Sequence, residues 1–205
     1  MILLFDCQYF APIIAYKNSI QCLYINIEQY ERWQKMSFRN RCIIAGANGL
    51  LHLSIPVEGG RNSDRMIRDV KIDNSDHWQN KHWRAIVSAY NRSPWFEFYK
   101  DDMSLFYHSK YVYLWDWNID LLQWTVKQLG VDVEIGYTTS YEKEYPSDRF
   151  LDIRNKVLPK NYLDFAINCP VYTQVFEDRI GFNPNLSIID LLFCEGKNAT
   201  ALLRK

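Results

Sequence analysis

The sequence predicts an α/β protein, a mixed sheet with a β-hairpin and flanking helices that opens on a nucleotide-binding-like β-α-β unit. Three observations predict it. The chain begins with an apolar run, a loop with an early proline, a short helical stretch and a second apolar run. Asn48-Gly49 stands between two strand-like segments. The middle of the chain carries three stretches whose apolar residues recur at helical spacing.

Met1 to Phe5 reads as a buried strand. Pro12 suits the first turn of a helix running to about Ile20, because its missing N–H is not needed there. Residues 22–27 (CLYINI) read as the second strand. Asn-Gly supplies the positive φ angles of a type I′ hairpin turn, which pairs Ile44 with Leu53, Cys42 with Ile55 and Asn40 with Val57. Arg39, Arg41, Ile43 and Ala45 then share the other face with His52, Ser54, Pro56 and Glu58. A further strand is expected from Met66 to Ile72, after the loop Gly59-Gly60-Arg61-Asn62-Ser63.

Asp76 with Gln79 three residues on resembles a capping box, opening a helix whose face carries Trp83, Ile86, Val87 and Tyr90. Ser93-Pro94 ends it and starts an aromatic-rich helix (WFEFY). Leu121, Leu122, Thr125, Val126 and Leu129 mark a third helix, closed by Gly130. Val131 to Gly136 is a late strand, followed by the polar loop TTSYEKEYPSDR. Ser187 with Asp190 resembles another helix start, and Gly196 a stop. Residues 1–205 are expected to form a single domain, with residues 148–205 a candidate flap or small subdomain.

The 205 residues, 48% hydrophobic, suffice for one sizeable core and exclude a disordered class. Lys+Arg and Asp+Glu both number 24, so the overall charge points to no nucleic acid and no anionic membrane. Aromatics reach 16%; Trp and Tyr suit half-buried grooves as well as cores. Cys7, Cys22, Cys42, Cys169 and Cys194 are odd in number and lack C-x-x-C spacing. Free thiols in a cytoplasmic protein are the expectation, with no metal. The apolar N-terminus lacks a basic leader, so neither a signal peptide nor a membrane span is expected.

Phosphate-loop, dinucleotide and G-x-S-x-G motifs are missing, and no cofactor site is expected. His77 and His82 lie about 140° apart on a helix, unsuited to joint metal ligation. Three clusters carry chemistry. Lys35, Arg39 and Arg41, with Asn40 between the arginines, suit a phosphate or carboxylate; pairing with Glu28, Glu31 or Glu58 is the structural competitor. His82, between Lys81 and Trp83-Arg84, is a candidate general base, although a lone helical histidine is more often structural. Gln8, in the loop just past the first strand, and Tyr16, a helical turn after Pro12, lie where open α/β sheets bind ligands.

QYFAPIIAY, QKMSFRNRCIIAGANGLLHLSIPV, WQNKHWRAIVSAYNRSPWFEFY and LWDWNIDLL, in this order, resemble the WbqC-like protein family, and the tail GFNPNLSIIDLLFCEG also fits. Many relatives open the first stretch with Gln-Pro and carry Trp after the second proline; Cys7-Gln8 and Ile13 stand there in this chain. The resemblance implies a bacterial, cytoplasmic setting in O-antigen or other surface-polysaccharide biosynthesis. It also implies a transferase that moves an aminoacyl (glycyl) or similar acyl group to an amino sugar carried on a nucleotide or lipid diphosphate. On that reading Lys35, Arg39, Arg41 and Arg84 hold the ligand with Gln8, Tyr16 and Asn40. Trp83 and Tyr90 line a groove, and His82 takes the proton from the attacking amine. Two alternatives stand beside it, a nucleotidyltransferase-like enzyme and a non-catalytic sugar-nucleotide-binding protein.

Overall fold

The computed structural model describes residues 1–59 and 64–205, so most of the expected 59–63 loop lies outside the described residues. Four strands form a parallel sheet: β1 (Ile2–Asp6), β2 (Tyr24–Glu28), β5 (Glu134–Tyr137) and β6 (Phe150–Asp152), in the order β5-β2-β1-β6. α1 (Ile13–Ser19) makes the crossover between β1 and β2. Leu3, Leu4, Ile25 and Ile27 are fully buried, as strands covered on both faces require. The α/β class holds, with the hairpin forming a separate two-stranded sheet.

That hairpin is β3 (Arg41–Gly46) and β4 (Gly49–Ser54), with a turn different from the one expected. Gly46 pairs with Gly49, so Ala47 and Asn48 form the loop, and Ile44 faces Leu51 in place of Leu53. Neither Ala47 nor Asn48 takes a positive φ; Gly49 alone does, at 130°. Glycine meets that backbone demand at no steric cost, which releases Asn48 from it. The register slides by two residues, so every β4 side chain keeps its expected face. Arg39, however, precedes the strand and sits in a turn.

The expected strand over 66–72 is a 3-10 turn (Ile67–Asp69) flanked by single bridges, Arg32 to Met66, Val57 to Ile72 and Lys71 to Tyr113. α2 (Trp78–Tyr90) begins without the Asp76 capping box. His77 occupies the N-cap in a left-handed conformation (φ 44°), and the Asp76 carboxylate instead takes the Lys81 ammonium at 2.6 Å. Trp78, His82, Ile86, Ala89 and Tyr90 form its buried stripe, while Trp83 and Val87 are half-buried. α3 (Phe96–His108) and α4 (Leu114–Leu129) follow, the latter capped by Gly130 at φ 62° as expected.

Residues 148–205, the candidate flap, supply β6 to the sheet, then α5 (Glu177–Ile180), α6 (Ile188–Glu195) and α7 (Ala199–Leu203). The residues Ile188, Ile189, Leu191, Leu192 and Phe193 of α6 have no solvent exposure. The approach to α6 ties the two sheets together. Ser187 N–H donates to Ile43 C=O (2.9 Å) in the hairpin, while Ile188 N–H donates to Ala11 C=O (3.0 Å) in the loop after β1. α6 starts after Ser187 as expected, with Ser187 at its N-cap, although the Ser187 hydroxyl donates to Phe10 C=O and Asp190 faces inward. All five cysteines are unpaired. Among the described residues no helix is long and apolar enough to cross a membrane.

Gly196 ends α6 at φ 54°, and a Cβ built there would lie 2.1 Å from Trp95 Cδ2. Both the ring and the backbone oppose a side chain. Gly196→Ala should therefore lower stability by about 1–3 kcal/mol or more, read as a shifted midpoint in urea unfolding.

Candidate functional site at the carboxyl edge of the parallel sheet

Parallel pairing aligns the strand ends. Asp6 closes β1 opposite Glu28, which closes β2, and Asp152 closes β6 beside Leu4. Three carboxylates thus meet at one sheet edge, and Glu31 joins them three residues past β2. Asp6, Glu28 and Glu31 are at most 3% exposed. An isolated buried carboxylate is prohibitive, so cations must follow them in. Arg39 donates through Nε to Glu31 Oε1 (2.7 Å) and through Nη2 to Glu31 Oε2 and Asn155 Oδ1 (2.8 Å), and Nη2 forms a longer ion pair with Asp6 at 3.6 Å. Arg154 bridges Glu28 Oε2 (2.9 Å) and Asp152 Oδ2 (2.8 Å), with its guanidinium over the Tyr141 and Tyr145 rings of the polar loop.

Neutral groups complete the network. Thr138 Oγ1 donates to Glu28 (2.8 Å), Asn155 N–H to Asp6 (2.8 Å), and Gln8 Nε2 to Asp6 (3.1 Å). Asn118, from α4, donates through Nδ2 to Arg39 C=O (2.8 Å). Two residues take left-handed backbone here, Asn155 in the network at φ 56° and Phe10 beside it at φ 40°. For a buried Phe such a conformation is costly and persists only where the surroundings impose it.

Four carboxylates surround two guanidiniums. Burial alone would lower the Arg39 pKa, but Asp6 and Glu31 outweigh it and raise it, so Arg39 keeps its charge. The surplus negative charge falls on Glu31. Burial pushes its pKa up to about 7, Arg39 only partly offsets this, and Asp6 and Glu28 add to it. Three buried atoms of the cluster find no partner among the described residues: Gln8 Oε1, Asn118 Oδ1 and Arg39 Nη1. Two acceptors and one cationic donor therefore stay unsatisfied inside the cluster.

The sequence candidates divide. Gln8 and Arg39 lie in this network, Arg39 as a fully buried ion-pair partner and not as an exposed clamp. Arg41 is half-buried in β3, where burial lowers its pKa; Lys35 and Arg84 are exposed. The arginines therefore do not form the expected common rim, because β3 begins after Arg39 has already turned inward. Asn40 donates to Ile55 C=O (2.8 Å) and holds the hairpin base. Trp83 stacks between Tyr107 and Phe96 with centroids 5.6 and 6.1 Å away, while Tyr16 and Tyr90 are interior.

His82 shares no hydrogen-bond partner with Arg39. Its ring is 5% exposed, stacked on Tyr9 (5.8 Å) and edge-on to Trp78 (5.1 Å), and its Nδ1 lies 3.1 Å from Tyr9 Oη. Tyr9 Oη in turn bonds Tyr107 Oη at 2.7 Å. Burial lowers the His82 pKa to about 4, the Ser54 backbone offsetting little of it, so the imidazole is neutral at pH 7. His82 thus sits in an aromatic box beside the Ser54 backbone, the strand partner of Arg41, while Arg39 leaves the expected common cleft and turns to Glu31. The sequence reading missed Asp6, Asn118, Asp152 and Arg154; it named Glu28 and Glu31 as pairing partners competing for the arginines, and Arg39 does pair with Glu31.

With the geometry in place, comparison with known proteins fixes the lineage. A profile of the WbqC-like protein family matches residues 8–168. The chain belongs to the WbqC-like protein family. That span contains Gln8, Glu28, Glu31, Arg39, Asn118, Asp152 and Arg154, so every member of the network named above except Asp6 lies inside the family's region of this chain. A Mycobacterium tuberculosis protein described as uncharacterized is 26% identical over 195 residues, covering 84% of each chain. No solved structure matches.

Arg39→Met should cost about 3–5 kcal/mol in chemical unfolding, because it strands Glu31 and Asp6 in the interior. His82 gives a separate signature in the pH dependence of stability. Its folded pKa lies below the unfolded value, so its contribution is present above pH 6.5 and lost as pH falls towards 4. His82→Phe should flatten that limb of the stability–pH curve in thermal denaturation, whatever it does to the absolute midpoint.

Proposed function

We propose that this WbqC-like protein is an enzyme of surface-polysaccharide biosynthesis that transfers an aminoacyl group such as glycyl, or a similar acyl group, to an amino sugar. The observation that carries the reading is the buried carboxyl edge. It combines surplus negative charge, a carboxyl poised near neutrality and three unpartnered polar atoms. An amino sugar approaches as an ammonium, which a surplus of carboxylates attracts. A carboxyl with a pKa of about 7 can then receive a proton from the amine near neutral pH.

In the proposed step the amine nitrogen attacks the carbonyl carbon of a preformed ester or thioester. Glu31 takes the proton that turns the ammonium into the attacking amine, and Arg39 Nη1 donates to the oxygen on which negative charge develops. The amide bond forms as the carbon–oxygen or carbon–sulfur bond breaks, and the leaving group departs with that electron pair and the second proton of the nitrogen, as an alcohol or thiol. Gln8 Oε1 and Asn118 Oδ1 accept from sugar hydroxyls or the amine. Glu31 replaces His82 as the base because its pKa of about 7 suits proton transfer near neutrality, whereas burial lowers the His82 pKa to about 4 and makes the imidazole a weak base. A sugar carried on a nucleotide or lipid diphosphate remains the proposed substrate form.

The test is amide formation from a glycyl thioester and an amino-sugar nucleotide, followed by mass spectrometry. Glu31→Gln should lower kcat by about 10²–10⁴-fold with KM little changed. Wild-type kcat/KM should rise with pH through about 7, as the free enzyme's Glu31 ionises. Glu31→Asp, which keeps a carboxyl but withdraws it, should retain part of the rate. Full activity in a folded Glu31→Gln variant would remove Glu31 as the base, whereas a wild type that binds the sugar nucleotide and forms no amide would leave a non-catalytic binding role as the better reading.

A further inference from the structure

A cavity of about 980 Å³ lies apart from the carboxyl edge, where the end of α2, the Ser93-Pro94 turn, residues 173–179 and the end of α6 meet. Its volume is that of a small-molecule site. Beneath it lies a second buried polar assembly. Asp190, with no exposure, accepts from Tyr90 Oη (2.7 Å), Tyr172 Oη (2.6 Å) and Gln174 Nε2 (3.0 Å). Gln174 lines the cavity and is fixed again by Asn183, whose C=O and N–H meet its amide at 2.8 Å each. These bonds make one wall of the cavity rigid and hold the 173–183 segment in place before any ligand arrives.

The rim carries charge of both signs. Arg92 and Arg179 line the cavity, are exposed, and have no carboxylate within 4.0 Å among the described residues. Asp178 and Glu195 line it too, and Glu195 Oε2 accepts from Asn198 instead (2.7 Å). Two unpaired guanidinium forks at one opening match a phosphoryl group, which they can bind in bidentate fashion. Two carboxylates in the same lining disfavour a ligand with several anionic groups but can accept from hydroxyls. The short neutral side chains Ser88, Asn91 and Thr173 supply both donors and acceptors.

We propose that this cavity binds a phosphomonoester of a small polyol, its phosphate on Arg92 and Arg179 and its hydroxyls against the neutral and acidic lining. The site is separate from the carboxyl edge, and the assignment stands whether or not Glu31 is catalytic.

Isothermal titration with glycerol 3-phosphate, glucose 1-phosphate and glucose 6-phosphate tests it, with glucose and inorganic phosphate as partial ligands. At least one phosphomonoester should bind tenfold or more tightly than either partial ligand. The double variant Arg92→Gln/Arg179→Gln should weaken that binding at least tenfold while unfolding at the wild-type temperature without ligand. Glu31→Gln should leave it unchanged, which separates this site from the proposed catalytic one. Failure of all three phosphomonoesters to bind, or equal binding by the double variant, would overturn the proposal. So would inorganic phosphate binding as tightly as the esters, which would mean a simple anion site.

Discussion

The rest of the structure depends on the neutralisation of carboxylates at the ends of parallel strands. Once β1, β2 and β6 run the same way, Asp6, Glu28 and Asp152 close onto one edge, and Glu31 follows them into the interior. No amount of apolar packing offsets several unpaired buried charges, so the chain must bring in guanidiniums from elsewhere. Arg39 arrives from the turn before the hairpin and Arg154 from just beyond β6. The path of the hairpin and the placement of the late strand are thereby bound to the same electrostatic requirement. Each arginine also fixes neighbours: Arg39 C=O receives Asn118 of α4, and Arg154 carries Tyr141 and Tyr145 over the edge.

The aromatic residues solve a different problem, the joining of the helical layer to the sheet. Tyr9 is the hinge of this arrangement. Its N–H donates to Phe38 C=O (2.9 Å), next to Arg39, while its hydroxyl reaches His82 and Tyr107 on α2 and α3. The loop that presents Gln8 to the carboxylates is therefore held at its backbone by the Arg39 turn and at its side chain by two helices. In this setting a neutral His82 is useful because it can hydrogen-bond without a charge in an apolar box, which a protonated ring could not do without large cost. The Trp78 and Trp117 rings, 5.0 Å apart, continue the same packing towards α4.

Charge separates the two proposed sites as clearly as position does. At the carboxyl edge the guanidiniums are buried and consumed by carboxylates, which leaves surplus negative charge and suits an amine. At the α2–α6 cavity two guanidiniums stand at the surface without partners, which suits a phosphate. The residue type is the same; burial and pairing decide what it can bind.

The sequence by itself determined the family, the β-α-β opening, the Ser93-Pro94 break and the Gly130 and Gly196 stops. These rest on local signals: apolar runs, proline's fixed φ and glycine's freedom to turn left-handed. The carboxyl-edge rule also led from the first strand to Gln8. Sequence reasoning placed the hairpin but set its turn one residue late, since Asn-Gly and Ala-Asn-Gly differ by interactions along the whole ladder. Tertiary structure alone decided the fates of the charged residues. Arg39 and Arg41 look equivalent at alternating positions, yet the chain turns between them, and one is sealed against Glu31 while the other stays half-buried. His82 looks like a base in a run of polar residues, until Tyr9, 73 positions away, closes over it. Asp6, Glu28 and Asp152 are unremarkable singly, because only the parallel register makes them neighbours. Burial and proximity, which set both pKa and pairing, are properties of the assembled chain, and no local pattern carries them.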